Sequence, residues 1–206
     1  MQPIDVDKQY HFFNPRAGVS YTLAERNNFY LSFAVAQKEP TRSDFTDRYM
    51  FAEANTYPSS EKLYDWELGY QYTAPRLSLG VNLYYMKYKD QLVPTGMVND
   101  GSDALNTNVS DSYRRGVELS ASWRATGWFT VGANATFSQN RIENYVDALK
   151  DSPTYGKELG DMTIAYSPDV IANAFLNFHH RGFEAVFHTQ HVGKQYFTNN
   201  ENDALS

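Results

Sequence analysis

From Leu77 to Asn140 large apolar residues alternate with small or polar ones. Leu77, Leu79, Val81, Leu83 and Tyr85 are separated by Ser78, Gly80, Asn82 and Tyr84. A period of two puts such residues on opposite faces of a β-strand and excludes a helix. The pattern resumes at Gly116, where Val117, Leu119, Ala121 and Trp123 oppose Glu118, Ser120, Ser122 and Arg124. After Ala125, Thr126 and Gly127 it recurs as Phe129, Val131, Ala133, Ala135 and Phe137 against Thr130, Asn134, Thr136 and Ser138. Two long strands and a tight turn make one hairpin, and each strand exceeds the usual length of about five or six residues.

The same alternation predicts five more strands. The first, Arg16 to Leu23, sets Ala17, Val19, Tyr21 and Leu23 on one face, and the second starts at Phe29 after a polar turn, Glu25 to Asn28. The third, Leu63 to Tyr72, sets Tyr64, Trp66, Leu68, Tyr70 and Tyr72 against Asp65, Glu67, Gly69 and Gln71, and only Thr73, Ala74 and Pro75 separate it from Leu77. The seventh, Val170 to His179, turns through His180, Arg181 and Gly182 into the eighth, Phe183 to about Val192. Between these hairpins, Lys38 to Lys62, Asp90 to Ser112 and Arg141 to Pro168 carry Pro, Gly, Asn and Asp with no steady alternation, and they read as long loops.

Short and long connections therefore alternate along the whole chain. Outer-membrane barrels have this arrangement, with short periplasmic turns and longer extracellular loops, because neighbouring antiparallel strands reverse on opposite sides of the bilayer. A compact soluble domain rarely carries even one structureless loop beyond about fifteen residues. Aromatic placement points the same way. Phe29, Tyr30, Tyr70, Tyr72, Trp123, Trp128, Phe129, Phe178 and Phe183 lie near short turns, and Tyr84, Tyr85 and Tyr88 near the far end of their strand, as two interfacial girdles would require. The expected fold is all-β, an antiparallel transmembrane β-barrel segment of about eight strands.

Composition narrows this further. The 206 residues include 16 Tyr, 13 Phe and 3 Trp, yet the mean hydropathy is -0.58, so the apolar residues are dispersed rather than massed. No apolar run of about eighteen residues is present to cross a membrane as a helix, which leaves β-strands untouched. A net charge of -6 argues against nucleic acid as a partner. Met1 to Gln9 has neither a basic n-region nor an apolar h-region, so the expectation is a mature form, a fragment or a cytosolic protein. No nucleophile elbow, phosphate-binding glycine loop or zinc signature occurs, and His188 and His191 have opposite parity, so no enzyme activity, metal or cofactor is expected.

Several segments together resemble TonB-dependent outer-membrane receptors. They are FNPRAGVSY from Phe13 to Tyr21, YLSFAVAQKEPTRSDF from Tyr30 to Phe45, EKLYDWELGYQY from Glu61 to Tyr72, SYRRGVELSASWRATGWFTVGANATFSQNRI from Ser112 to Ile142, and GKQYFTNNEN from Gly193 to Asn202. The resemblance implies a 22-stranded barrel in the bacterial outer membrane, filled by an N-terminal plug. It also implies uptake of a scarce ligand, foremost a ferric siderophore or other iron complex, with TonB acting through the plug. Against that pattern, residues 1–206 read as a partial barrel domain without plug, TonB box or terminal strands. The partners expected are outer-membrane lipid, the iron complex and TonB.

Two other readings stand beside it: a complete eight-stranded outer-membrane barrel for structure or adhesion, and a soluble β-sandwich binding module. In the receptor reading, Asp65, Glu67, Glu118, Arg124, Glu184 and His188 have lumen parity and are expected to touch the plug or line the ligand path. Arg42, Arg48, Tyr49, Tyr57, Arg114, Arg115, Arg141 and Tyr145 lie in or beside the long connections, where Arg and Tyr suit an anionic chelate.

Overall fold

The computed structural model describes residues 7–46, 57–99 and 101–201. It is a single antiparallel meander. The strands β1 (Arg16–Leu23), β2 (Asn27–Lys38), β3 (Glu61–Thr73), β4 (Leu77–Val98), β5 (Ala104–Arg124) and β6 (Phe129–Ile142) are joined in order, followed by β8 (Val170–His180) and β9 (Phe183–Val192). A two-residue strand, β7 (Met162–Thr163), pairs with the end of β6. Among the described residues β1 and β9 end the sheet without pairing, so the sheet is open. The closed eight-stranded barrel requires that pairing.

The turns account for the reversals. Arg181 and Gly182 both take the left-handed backbone, φ 47° and 83°, and form the two-residue connection whose twist matches a hairpin. Ala24 and Glu25 also take the left-handed backbone, φ 52° and 58°, in the three-residue connection between β1 and β2.

Register fixes the faces. Phe29, Tyr70, Val81, Leu119, Ala135, Ala172 and His191 follow one another across a single hydrogen-bonded row. Along it, Phe29 stands two residues past Asn27, Val81 four past Leu77, Ala135 six past Phe129 and His191 eight past Phe183. The row thus climbs one residue per strand, and with about 3.3 Å per residue against about 4.8 Å between strands it tilts the strands by about 35°.

One face of this sheet is apolar and bare. Val19, Leu31, Leu68, Val81, Leu119, Leu176 and Phe187 share it and are exposed, Phe187 at 63%. No second layer covers it among the described residues, which removes the sandwich. The buried cluster lies elsewhere: Val93, Val109, Ile142, Tyr145 and Ile164, with Leu159 and Met162 against them, pack beyond the sheet at the long-loop end. Ring pairs band the bare face at two heights. Trp66 pairs with Phe33, Tyr64 and Tyr85, and Tyr85 with Tyr113, at the upper level. Phe29 pairs with Tyr70, and Phe178 with Trp128, Phe129 and Phe187, at the lower.

Three expectations change. The stretch Asp90 to Ser112 is mostly strand, because β4 and β5 run on to 22 and 21 residues and leave only 99–103 as a tip. Lys38 to Lys62 contains a short helix, α1 (Arg42–Thr46). Thr41 caps it: its N–H and hydroxyl both donate to Asp44 Oδ2 at 2.7 Å, and its Oγ1 accepts from the Asp44 N–H at 3.4 Å. Tyr30, Tyr84 and Tyr88 leave the girdles. They point inward, where Tyr30 lies across Gly69 and Tyr84 across Gly116, each glycine its direct cross-strand neighbour. Phe175 covers Gly132 in the same way.

A Cβ on Gly69 would overlap the Tyr30 ring. Gly69→Ala is therefore expected to cost about 1 to 3 kcal/mol by displacing that ring, measured by urea unfolding from lipid vesicles. Near-neutral behaviour, with Tyr30→Ala also neutral, would show that the ring–glycine contact does not hold the β2–β3 register.

Candidate functional site

The inward face is polar. Asn82 donates to Glu118 Oε2 at 3.2 Å, Asn173 to Asn134 Oδ1 at 2.9 Å, and Asn177 to Glu184 Oε1 at 3.1 Å, so cross-strand amides bridge neighbouring strands. Register puts Glu67 opposite Tyr84 and Glu118 opposite Asn82, and Asp65 follows two residues from Glu67. These three carboxylates share one wall. Above Gly80 a hollow of about 420 Å³ is lined by Tyr30, Gln71, Asn82, Glu118, Asn134 and Thr136. Oδ1 of Asp65 and Oδ1 of Asn82 are buried without a hydrogen-bond partner among the described residues. Such acceptors are costly unless a donor reaches them from outside the sheet. The other three residues of lumen parity lie apart: Arg124 at the β5 end opposite Thr130, Glu184 opposite His179, and His188 opposite Phe175.

At the long-loop end the hairpin β4–β5 rises above the sheet. Asp90 takes the left-handed backbone, φ 53°, and past it the alternation inverts: Gln91, Val93 and Thr95 are buried. Gln91 Oε1 accepts from Ser112, a residue of the inward set, at 2.6 Å. Two asparagines of β5 moor the preceding connection. Asn106 donates to Asp44 Oδ1 at 3.1 Å, while Asn108 donates to Ser59 O at 3.1 Å and accepts from Ser59 N at 2.9 Å. A cleft of about 680 Å³ opens beside them, with Asp44, Tyr57, Asn108, Asp147 and Tyr155 in its lining.

The segment following β9 straps this end together. Asn199, fully buried, donates to Pro94 O at 2.7 Å and accepts from Ala165 N at 2.6 Å. Asn200 donates to Asp147 Oδ2 at 3.3 Å. Glu201 Oε1 accepts from Thr163 N at 2.8 Å, Thr163 Oγ1 at 2.5 Å and Arg141 Nη1 at 2.6 Å.

The residues expected at the ligand mouth therefore separate. Arg141 is committed to Glu201 and Thr163. Arg114 donates to Ser167 Oγ at 3.0 Å. Tyr145, 2% exposed, belongs to the buried cluster. Arg115 stands in the outward row of Trp66 and Tyr85, with its guanidinium on Gln139. Arg42 and Tyr57 remain exposed, Tyr57 in the lining of the cleft, and Arg48 and Tyr49 lie outside the described residues. The anchors Asn106, Asn108 and Asn199 were not among the expected site residues. The first two show in the sequence as alternation in Leu105, Asn106, Thr107, Asn108 and Val109, whereas Asn199 has no local signal.

Burial by itself raises the Asp147 and Glu201 carboxyls. Hydrogen bonds from Ser152, Thr154, Leu149 N–H and Asn200 outweigh it and hold Asp147 below its ordinary 3.8. Thr163 and the Arg141 charge likewise hold Glu201 below 4.5. A carboxyl lowered in the folded state stabilises at pH above its ordinary value and loses that contribution as pH falls through the lowered one. Protection of the strap is thus expected to be level from about pH 7 to 5 and to fall below 3.8, read as amide exchange corrected for intrinsic rate. Loss of protection already at pH 6 would contradict it.

Among the described residues no cluster of His, Cys, Asp and Glu is arranged to hold a metal ion. The family model "TonB dependent receptor-like, beta-barrel" matches residues 4–205. No curated protein matches the sequence. Among solved structures, the ferric yersiniabactin uptake receptor FyuA from Yersinia pestis superposes with a TM-score of 0.61 at 20% identity, over 90% of this chain and 26% of its own. The copper transporter OprC gives 0.61 at 18% identity, over 83% and 24%. The FrpB iron transporter from Neisseria meningitidis (F3-3 variant) gives 0.57 at 20% identity, over 87% and 26%. The chain spans about a quarter of the length of these structures.

Proposed function

Because the chain belongs to the TonB-dependent receptor-like β-barrel family, a family of the bacterial outer membrane, we propose that it forms part of the wall of a larger barrel. That barrel has 22 strands around a plug, and the plug and further strands lie outside this sequence. The observation that carries this reading is the open sheet itself, apolar and bare outside, polar and only partly satisfied inside. Lipid covers the first face and a folded plug the second. Asp65, Glu67 and Glu118 offer that plug acceptors near mid-wall, with Arg124, Glu184 and His188 further along, and the unmet oxygens of Asp65 and Asn82 suit its N–H and cationic donors.

The parent protein is a transporter rather than an enzyme. Its ligand is an iron complex, foremost a ferric siderophore, entering past Arg42 and Tyr57, with energy delivered by TonB through the plug. The relatives named for iron, ferric yersiniabactin and copper support a metal-bearing ligand. The test is uptake of 55Fe-labelled siderophores by cells with the gene intact, deleted or restored, with and without a functional TonB. Loss on deletion and dependence on TonB are expected. Unchanged uptake of every iron complex, with uptake of an iron-free solute lost instead, would replace the ligand class and keep the wall.

A further inference from the structure

We propose that the outward rim of β3, β4 and β5, just above the upper aromatic band, binds the phosphates of an anionic glycolipid in the outer leaflet, an inference that rests on the membrane orientation proposed above. Tyr64, Lys87 and Tyr113 form one outward row across these strands. Two further cations bend onto it. Lys62 Nζ lies 4.9 Å from the Tyr64 ring, reaching down from the row above, and the Arg115 guanidinium lies 5.3 Å from the Tyr113 ring, reaching up from the row of Trp66 and Tyr85. Lys62, Lys87 and Arg115 thus converge at one height.

The local charge balance leaves an anion wanting. Lys62 and Lys89 are direct cross-strand partners, a pairing of like charges that costs stability unless something neutralises it. Asp111 takes both Lys87, at 3.1 Å, and Lys89, at 2.5 Å, and Glu143 pairs with Lys87. Among the described residues no carboxylate pairs with Lys62 or Arg115 at ion-pair distance. In a chain of net charge -6, this rim carries an excess of positive charge. Its height selects the ligand. The row of Tyr64 lies two residues above Trp66 and Tyr85, about 5 Å along the membrane normal at the observed tilt, which places it among lipid headgroups rather than acyl chains. Arg115 is held by Gln139 through Nε and Nη2 at 2.9 and 2.6 Å, which leaves Nη1 to donate to a phosphate oxygen.

The experiment uses the full-length protein extracted from the outer membrane. Native mass spectrometry follows retention of lipid A bearing two phosphates, the same lipid with its phosphates removed, and inorganic phosphate. Retention of the phosphorylated lipid alone is expected, roughly tenfold weaker in the double variant Lys62→Gln, Arg115→Gln. Equal retention of the phosphate-free lipid, binding of inorganic phosphate with equal affinity, or no effect of the double variant would overturn the proposal. Heat-modifiable migration of wild type and variant shows that both remain inserted barrels. A wild type that never enters the membrane would overturn the wall reading and this inference together, whereas an inserted wild type that ignores the phosphates overturns the inference alone.

Discussion

Leu119→Arg destabilises the membrane-inserted protein by about 2 to 4 kcal/mol, while Ser120→Arg, one residue away, changes stability by less than about 1 kcal/mol. Leu119 is exposed on the bare face, midway between the two bands of aromatic rings, where an arginine meets hydrocarbon at its deepest point. Ser120 points the other way, into the hollow lined by Asn82 and Glu118, which has room and a carboxylate for the guanidinium. Urea unfolding from vesicles, followed by tryptophan fluorescence, measures both. Equal costs at the two positions would mean that neither face meets lipid, and the assignment of inside and outside would fall. Val81→Arg against Asn82→Arg repeats the comparison on the next strand.

Asn199→Ala is the second large effect, expected at about 2 to 5 kcal/mol. The side chain is fully buried, and its amide closes two bonds at once, to Pro94 O and from Ala165 N. Truncation leaves a buried carbonyl and a buried N–H unpaired, each costing about 1 to 3 kcal/mol. The loss falls on the strap and on the loop from Glu143 to Pro168 rather than on the transmembrane strands. Limited proteolysis is therefore expected to cut within 143–168 in the variant while heat-modifiable migration persists. A variant as protease-resistant as wild type would show that Glu201 and Asn200 suffice to hold the strap. Loss of the barrel itself would show that the cap and the wall form one cooperative unit.

Strands were legible in the sequence wherever one face meets lipid. There the apolar side must be nearly unbroken, so the alternation in Leu77–Tyr85 and Phe129–Phe137 is strong, and the strand starts at Arg16, Leu77, Phe129, Val170 and Phe183 emerge directly. Above the bilayer the same strands pair with both faces near water or near other loops, and the requirement lapses. Asn106 and Asn108 then replace apolar residues, and their stretch reads as loop although it is ladder. The carboxylates of the inner wall were legible by parity alone: Asp65, Glu67 and Glu118 do share the inward face. The roles of Arg141 and Tyr145 were not, because the partners that occupy them, Glu201 and the Val93 cluster, come from distant segments that no local pattern connects.

The steady climb from Phe29 to His191 gives the wall the geometry of a screw thread. Each strand advances the register by one residue, so a circuit of the closed cylinder returns to its first strand displaced by about as many residues as there are strands. Removing a single strand would reverse chain direction at the seam and change that displacement by one, which exchanges inner and outer side chains. Removing a hairpin changes it by two and leaves every side chain on its own side. The hairpin is therefore the smallest unit by which such a wall widens or narrows, and β1–β2, β3–β4, β5–β6 and β8–β9 are four such units, each with a short turn at the same rim.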